Sequence, residues 1–174
     1  MNKTKTKTCY FCADWYDEEQ DKVYKEAMKA LKKNNTIDIE NSYIPREHKY
    51  SGFRLEENPE YFKNKKMARV VSEENMKGIQ NTDVYLIVYL PNQEYSDVDA
   101  GLKVIYPHTI GKYNLLVIPD DQYDDVSTDL MNREEVDNTI RISELKDFDF
   151  NNLKLKSPVD FDDIDSEFND EEFY

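Results

Sequence analysis

Seven consecutive apolar residues, Val84-Tyr85-Leu86-Ile87-Val88-Tyr89-Leu90, give the strongest signal along the chain. A strand covered on both faces reads this way. Asn114–Ile118 has the same character, Thr8–Ala13 reads as a buried first strand, and Thr139–Ile142 as a shorter one. Thr36–Ile44 also has strand character and ends at Pro45. Between these runs the period changes. From Glu18 to Asn34 the apolar residues Val23, Ala27, Ala30 and Leu31 recur at helical spacing among charged ones, with Asp17 placed as N-cap. A second helix is predicted from Pro59 through Met76, stopping near Gly78, and a third after the loop Pro91–Ser96. Pro107 should end or kink that third helix early, because proline has no N–H to donate. Strands alternating with helices predict right-handed βαβ units. The expected fold is α/β: a doubly wound, flavodoxin-like parallel sheet of about five strands with helices on both faces. Ligands bind such sheets beyond the carboxyl ends of the strands, which points to the loops after Ala13, Ile44, Leu90 and Ile118.

A chain of 174 residues fits one domain. We place it at residues 1–157, followed by a tail at 158–174 in which eight acids and no base are interleaved with Phe161, Phe168, Phe173 and Tyr174. That tail supplies more than half of a net charge of -14, so the body is only mildly acidic. Nucleic acid is not an expected partner, since phosphate-backbone binding needs clustered Lys and Arg. No apolar run is long enough for a membrane helix, and the start lacks the apolar stretch of a signal peptide, so a cytoplasmic protein is expected. With four glycines and neither a G-x-G-x-x-G nor a P-loop, no cofactor is expected. Cys9 and Cys12 form a C-x-x-C, but they lie in a strand-like run that sends positions three apart to opposite faces. There is no second cysteine pair, and His48 and His108 are the only histidines. Free thiols and no metal are expected.

Several distinctive segments lie along the chain, many near those strand ends: Tyr10-Phe11-x-Ala13-x-Trp15, Ala27-Met28-x-Ala30-Leu31-Lys32, Thr36-Ile37-Asp38-x-Glu40-Asn41-Ser42-Tyr43, Asn58-Pro59-Glu60-Tyr61, Gly111-Lys112-Tyr113 with Leu115-Leu116-Val117-Ile118-Pro119-Asp120, and Leu145-Lys146-Asp147-Phe148. With these the chain resembles the nucleoside 2-deoxyribosyltransferases from about Thr8 to Phe150. The resemblance implies exchange of the base on a 2'-deoxynucleoside, through attack of a glutamate on the anomeric carbon. It also implies a homo-oligomer whose subunits complete one another's pockets. The family motif carrying that glutamate is Gly-x-Glu-x-Gly-Tyr. Here the matching stretch is Gly101-Leu102-Lys103-Val104-Ile105-Tyr106, which puts Lys103 at the nucleophile position.

Other matched positions differ too. The acid that hydrogen-bonds the base aligns with Asn75, the sugar-positioning acid with Asp97, the glutamine near the sugar with Lys49, and the neighbour's asparagine with Asp129, ahead of Leu130-Met131. Glycines of the family's Gly-x-Gly-Trp turn align with Cys12 and Asp14, while Trp15 is kept as an aromatic wall. The family set of Glu, Asp, Asp, Gln and Asn sums to -3; Lys103, Asn75, Asp97, Lys49 and Asp129 sum to 0. Arg69 would add to that change. Either the pocket has drifted after loss of activity, with Lys103 reaching to solvent, or it has been repurposed for an anionic ligand. The leading expectation is a pseudoenzyme that binds a nucleotide or nucleotide-derived small molecule, with Tyr10 and Trp15 against the base and Lys49 and Lys103 facing phosphate. Sequestering a signalling nucleotide in phage counter-defence is one role such a protein could have. The second is an active transferase or N-glycosidase using Asp97 or Asp99 as a displaced carboxylate. The third is an interaction module that uses the acidic tail.

Overall fold

The computed structural model describes residues 7–48, 65–94 and 96–156. Lys49, the beginning of the second predicted helix and the tail at 158–174 lie outside them. Parallel strands β1 (Cys9–Cys12), β2 (Val84–Val88), β3 (Tyr113–Ile118) and β4 (Asn138–Arg141) form one sheet in the order β1-β2-β3-β4. Helices α1 (Glu18–Leu31), α2 (Lys65–Asn81), α3 (Ser96–Thr109) and α4 (Thr128–Asn132) join and follow them. This is the doubly wound, flavodoxin-like arrangement, with four strands in place of about five.

The missing strand is the predicted one at Thr36–Ile44. It lies beside β1 but touches it only through parallel bridges Lys7–Ile37 and Tyr10–Tyr43. Side chains in that segment compete for the ladder's backbone groups. Ser42 Oγ donates to the Asp38 carbonyl at 2.6 Å and accepts from the Cys9 N–H at 2.9 Å, while Asp38 Oδ1 accepts from the Asn41 N–H at 3.2 Å. The result is a turn where a regular strand would pair.

Alternation along the strands sends side chains to two cores. On one face Cys9, Phe11, Leu86, Leu115 and Val117 pack with Val23, Ala27 and Leu31 of α1. On the other, Tyr10, Tyr85, Ile87, Leu116 and Ile118 pack with Ala100 and Val104 of α3 and Leu130 of α4. The predicted cap on α1 holds, whereas α2 runs on through Gly78, where a stop is expected, to Asn81. Asp17 Oδ1 accepts from the Gln20 N–H at 2.7 Å, opening α1 at Glu18. Pro107, expected to stop α3 early, instead sits inside its last turn, and the helix continues to Thr109. So near a C-terminus the missing donor removes one helical bond, the one to the Lys103 carbonyl, and little else. Gly111, at φ 75°, then turns the chain into β3.

Asn34 fixes the end of α1. Its side-chain amide donates to the carbonyls of Leu145 (2.8 Å) and Phe148 (2.7 Å), and its Oδ1 accepts from the N–H and hydroxyl of Thr36, both at 2.7 Å. It is buried, so all four bonds stand in for water. Replacing Asn34 with alanine strands those partners and should cost about 2–4 kcal/mol, measured as a lower urea midpoint at unchanged slope.

Candidate ligand site at the carboxyl ends of the strands

After β1 the chain turns to one side, to the 36–44 segment, and then crosses to β2 on the other. The crevice of a doubly wound sheet opens at such a reversal. Here it is a cleft of about 180 Å³, lined among others by Asp14, Gln20, Tyr89, Gln93, Asp99 and Lys103.

Lys103 is its centre. One turn up α3, Asp99 Oδ2 lies 2.6 Å from the Lys103 ammonium, and Asp14 Oδ2, just past β1, lies 3.3 Å away. Burial works to lower the lysine pKa, yet Cys12, Asp14 and Asp99 outweigh it and hold the pKa above the ordinary lysine value. The group is therefore a fixed cation at neutral pH. Beside it, burial pushes the Cys12 thiol up despite the nearby ammonium. Around the rim, amides tie α1 to the neighbouring loops: Gln20 Nε2 donates to Gln93 Oε1 at 2.9 Å, Gln93 Nε2 to Asp17 Oδ2 at 3.2 Å, and Gln122 Nε2 to Glu19 Oε1 at 3.0 Å. The hydroxyl of Tyr89 is buried with no hydrogen-bond partner among the described residues.

The other predicted residues are dispersed. Tyr10 is buried, with rings stacked on both sides: Tyr43 at 5.2 Å and Tyr85 at 5.4 Å. Asn75 Oδ1 accepts from the Tyr43 hydroxyl at 3.2 Å. Trp15 packs against the α1 core, stacked on Tyr16 and edge-on to Tyr24. Arg69 is exposed and paired with Glu73 at 2.8 Å. Asp97 and Asp129 line a different groove, of about 400 Å³, along the outer side of α3 and α4. Met131, at the end of α4, offers its carbonyl to the Lys156 ammonium at 3.4 Å. So Asp14, Asp99 and Lys103 come together with Cys12 adjacent, while Tyr10, Trp15, Asn75, Arg69, Asp97, Asp129 and Met131 do not reach this cleft. Gln20, Gln93 and Tyr89 carried no sequence signal as site residues; only their places near the ends of β1 and β2 hint at them.

The sequence profile of the nucleoside 2-deoxyribosyltransferases matches residues 9–134. The chain belongs to that family. It is 47% identical over 145 residues to the nucleoside deoxyribosyltransferase of Lactobacillus leichmannii, covering 83% of this chain and 90% of that one. To the nucleoside deoxyribosyltransferase of Lactobacillus johnsonii it is 46% identical over 139 residues, 80% and 91% of the two chains. A solved 2-deoxyribosyltransferase from Bacillus psychrosaccharolyticus superposes with a TM-score of 0.62 at 19% identity, over 87% of this chain and 99% of that one, which supports the fold. Among the described residues no helix of this deoxyribosyltransferase-family chain is long and apolar enough to cross a membrane, and no group of His, Cys, Asp and Glu could hold a metal ion.

Both cysteines are free, Cys9 packing on the α1 side of the sheet and Cys12 toward the α3 side. Burial raises the Cys9 thiol to about 12, more than the Ser42 hydroxyl lowers it. Because the thiolate is the nucleophile, iodoacetamide at pH 7.5 should label either cysteine roughly tenfold or more slowly than free cysteine. Mass spectrometry should find both labelled promptly once urea unfolds the chain.

Proposed function

We propose that this deoxyribosyltransferase-family chain binds a nucleoside-type or nucleotide-derived small molecule at the cleft beyond β1 and β2 without exchanging its base. The observation that carries this reading is the ammonium of Lys103 between Asp14 and Asp99, at the position where the family resemblance places the attacking glutamate. A protonated amine has no electron pair to form a bond with an anomeric carbon. Removing its proton is disfavoured by the same two carboxylates.

This pairing also changes the expected ligand. The five aligned positions suggested a pocket three charges more positive than the family's, but the cleft's own lining sets the carboxylates of Asp14, Glu94 and Asp99 against one ammonium. A phosphate would have to displace a carboxylate before gaining from Lys103. A neutral sugar and base meet no such cost. The relatives' names support a nucleoside-type ligand.

A second reading is favoured by the place of Asp99. Of the two displaced carboxylates considered, it lines the cleft and Asp97 does not. Asp99, 2.6 Å from the Lys103 ammonium, is placed to serve as nucleophile or as the base that activates water.

Two measurements separate these. Incubation with thymidine and adenine should give no deoxyadenosine and no free thymine; turnover near 1 per second that disappears in Asp99→Asn would establish the second reading. Calorimetric titration should show thymidine binding at least as tightly as thymidine monophosphate. A nucleotide preference of about tenfold or more, lost in Lys103→Glu, would instead place phosphate on Lys103.

A further inference from the structure

Further along α1 from the cleft network lies a second concavity, of about 660 Å³, that shares no lining residue with the cleft. Its apolar floor is formed by Tyr24 and Met28, both buried. Along its rim stand Lys29, Lys32 and Lys33, all exposed and without a carboxylate partner among the described residues. The other two cations there are already engaged. Lys25 and Arg46 share Asp21, and the Arg46 guanidinium lies 4.6 Å from the centre of the Tyr24 ring. The Tyr24 hydroxyl is buried with no hydrogen-bond partner among the described residues, a state that normally calls for a missing acceptor. Glu47 is the one carboxylate in the lining, against three ammonium groups with no ion pair among the described residues; with the apolar floor and the Tyr24 hydroxyl they describe a site for an acidic segment carrying aromatic side chains.

The chain contains one. Residues 158–174 hold eight acids, no base, and Phe161, Phe168, Phe173 and Tyr174. The geometry points to this C-terminal segment as the occupant of the α1 groove of its own chain. The proposal is independent of what the cleft binds. Charge favours it, because a molecule of net charge -14 gains most by bringing its densest acids to its uncompensated lysines. Reach allows it. Lys156 is held ahead of β4, its N–H on Asp137 Oδ1 at 2.7 Å and its ammonium on the Arg133 carbonyl at 3.2 Å. The groove lies on α1, which packs against Ile142 and Leu145, and is bounded by Arg46 and Glu47 after the 36–44 segment. Even four strand spacings take only roughly 20 Å, and the chain from Lys156 to Glu167 can extend to roughly 36–40 Å. Tethering adds an effective concentration on the order of millimolar, so weak contacts suffice.

Zero-length carbodiimide coupling of the full chain, followed by peptide mapping, tests this directly, since it joins only carboxylates and amines in contact. The expected products pair Lys29, Lys32 or Lys33, and to a smaller extent the adjacent Lys22 and Lys25, with acids of 158–174 inside single chains. Their yield should drop severalfold between about 50 mM and 1 M salt, where screening is strong. Mixing heavy-isotope and ordinary chains separates the two sources of contact: products found only between heavy and light chains would overturn docking on the same chain. Absence of tail products, or tail acids coupled to surface lysines in general, would overturn it as well. The full chain carrying K29E, K32E and K33E provides a second measure. These positions are exposed, so the fold should survive, and tail coupling to the adjacent Lys22 and Lys25 should fall to background; coupling at the wild-type level would reject the groove.

Discussion

The parallel pairing of β1 with β2 governs the functional end of the molecule. Its register sets Tyr10 beside Tyr85 and Cys12 beside Ile87, so the chain leaving β1 passes directly over the beginning of α3. From there Asp14 meets Lys103 across 89 residues of sequence. Both strands are buried on two faces, and sliding one by a single residue would exchange the cores on each face. Register and ion pair therefore stand together: the apolar packing that fixes the strands also fixes the carboxylates around the ammonium.

At that ammonium, on the reading proposed above, the chain holds a cation where the family resemblance places the attacking glutamate. A nucleophilic carboxylate needs a free electron pair and a path to the sugar. The lysine has neither while Asp14 and Asp99 hold its proton in place. The cleft keeps the shape and position of a ligand site at the sheet's reversal point, with glutamine amides around the rim and an unpartnered tyrosine hydroxyl in the wall. Binding is what such a lining supports.

How far the sequence disclosed this depended on whether the signal was local. The uninterrupted apolar run at 84–90 and the helical spacing of Val23, Ala27 and Leu31 identify their elements because burial imposes those patterns directly. The 36–44 segment misleads because its β-branched and aromatic residues look strand-like while Asp38 and Ser42 bond to nearby backbone instead. Pro107 misleads in the other direction, since the cost of a proline depends on how many turns follow it. In the site, Lys103 and Asp14 could each be singled out, but not their contact. Tyr10 looked like a stacking platform because the rings that occupy its two faces, Tyr43 and Tyr85, come from distant parts of the chain.

The irregular 36–44 segment has one more effect. A strand at the margin of a sheet offers unpaired N–H groups to which another chain can add. Along the outer side of β1 those donors are already taken: Lys7 N–H by the Thr36 carbonyl, Cys9 N–H by the Ser42 hydroxyl and Phe11 N–H by the Tyr43 carbonyl. A side chain fills the one gap that the turn leaves. Strand addition on that margin would have to break all three bonds, so among the described residues the open margin is β4, four residues long with Asn138 exposed at its start. The segment that fails to become a fifth strand thus still seals the sheet against polymerising through its most apolar end.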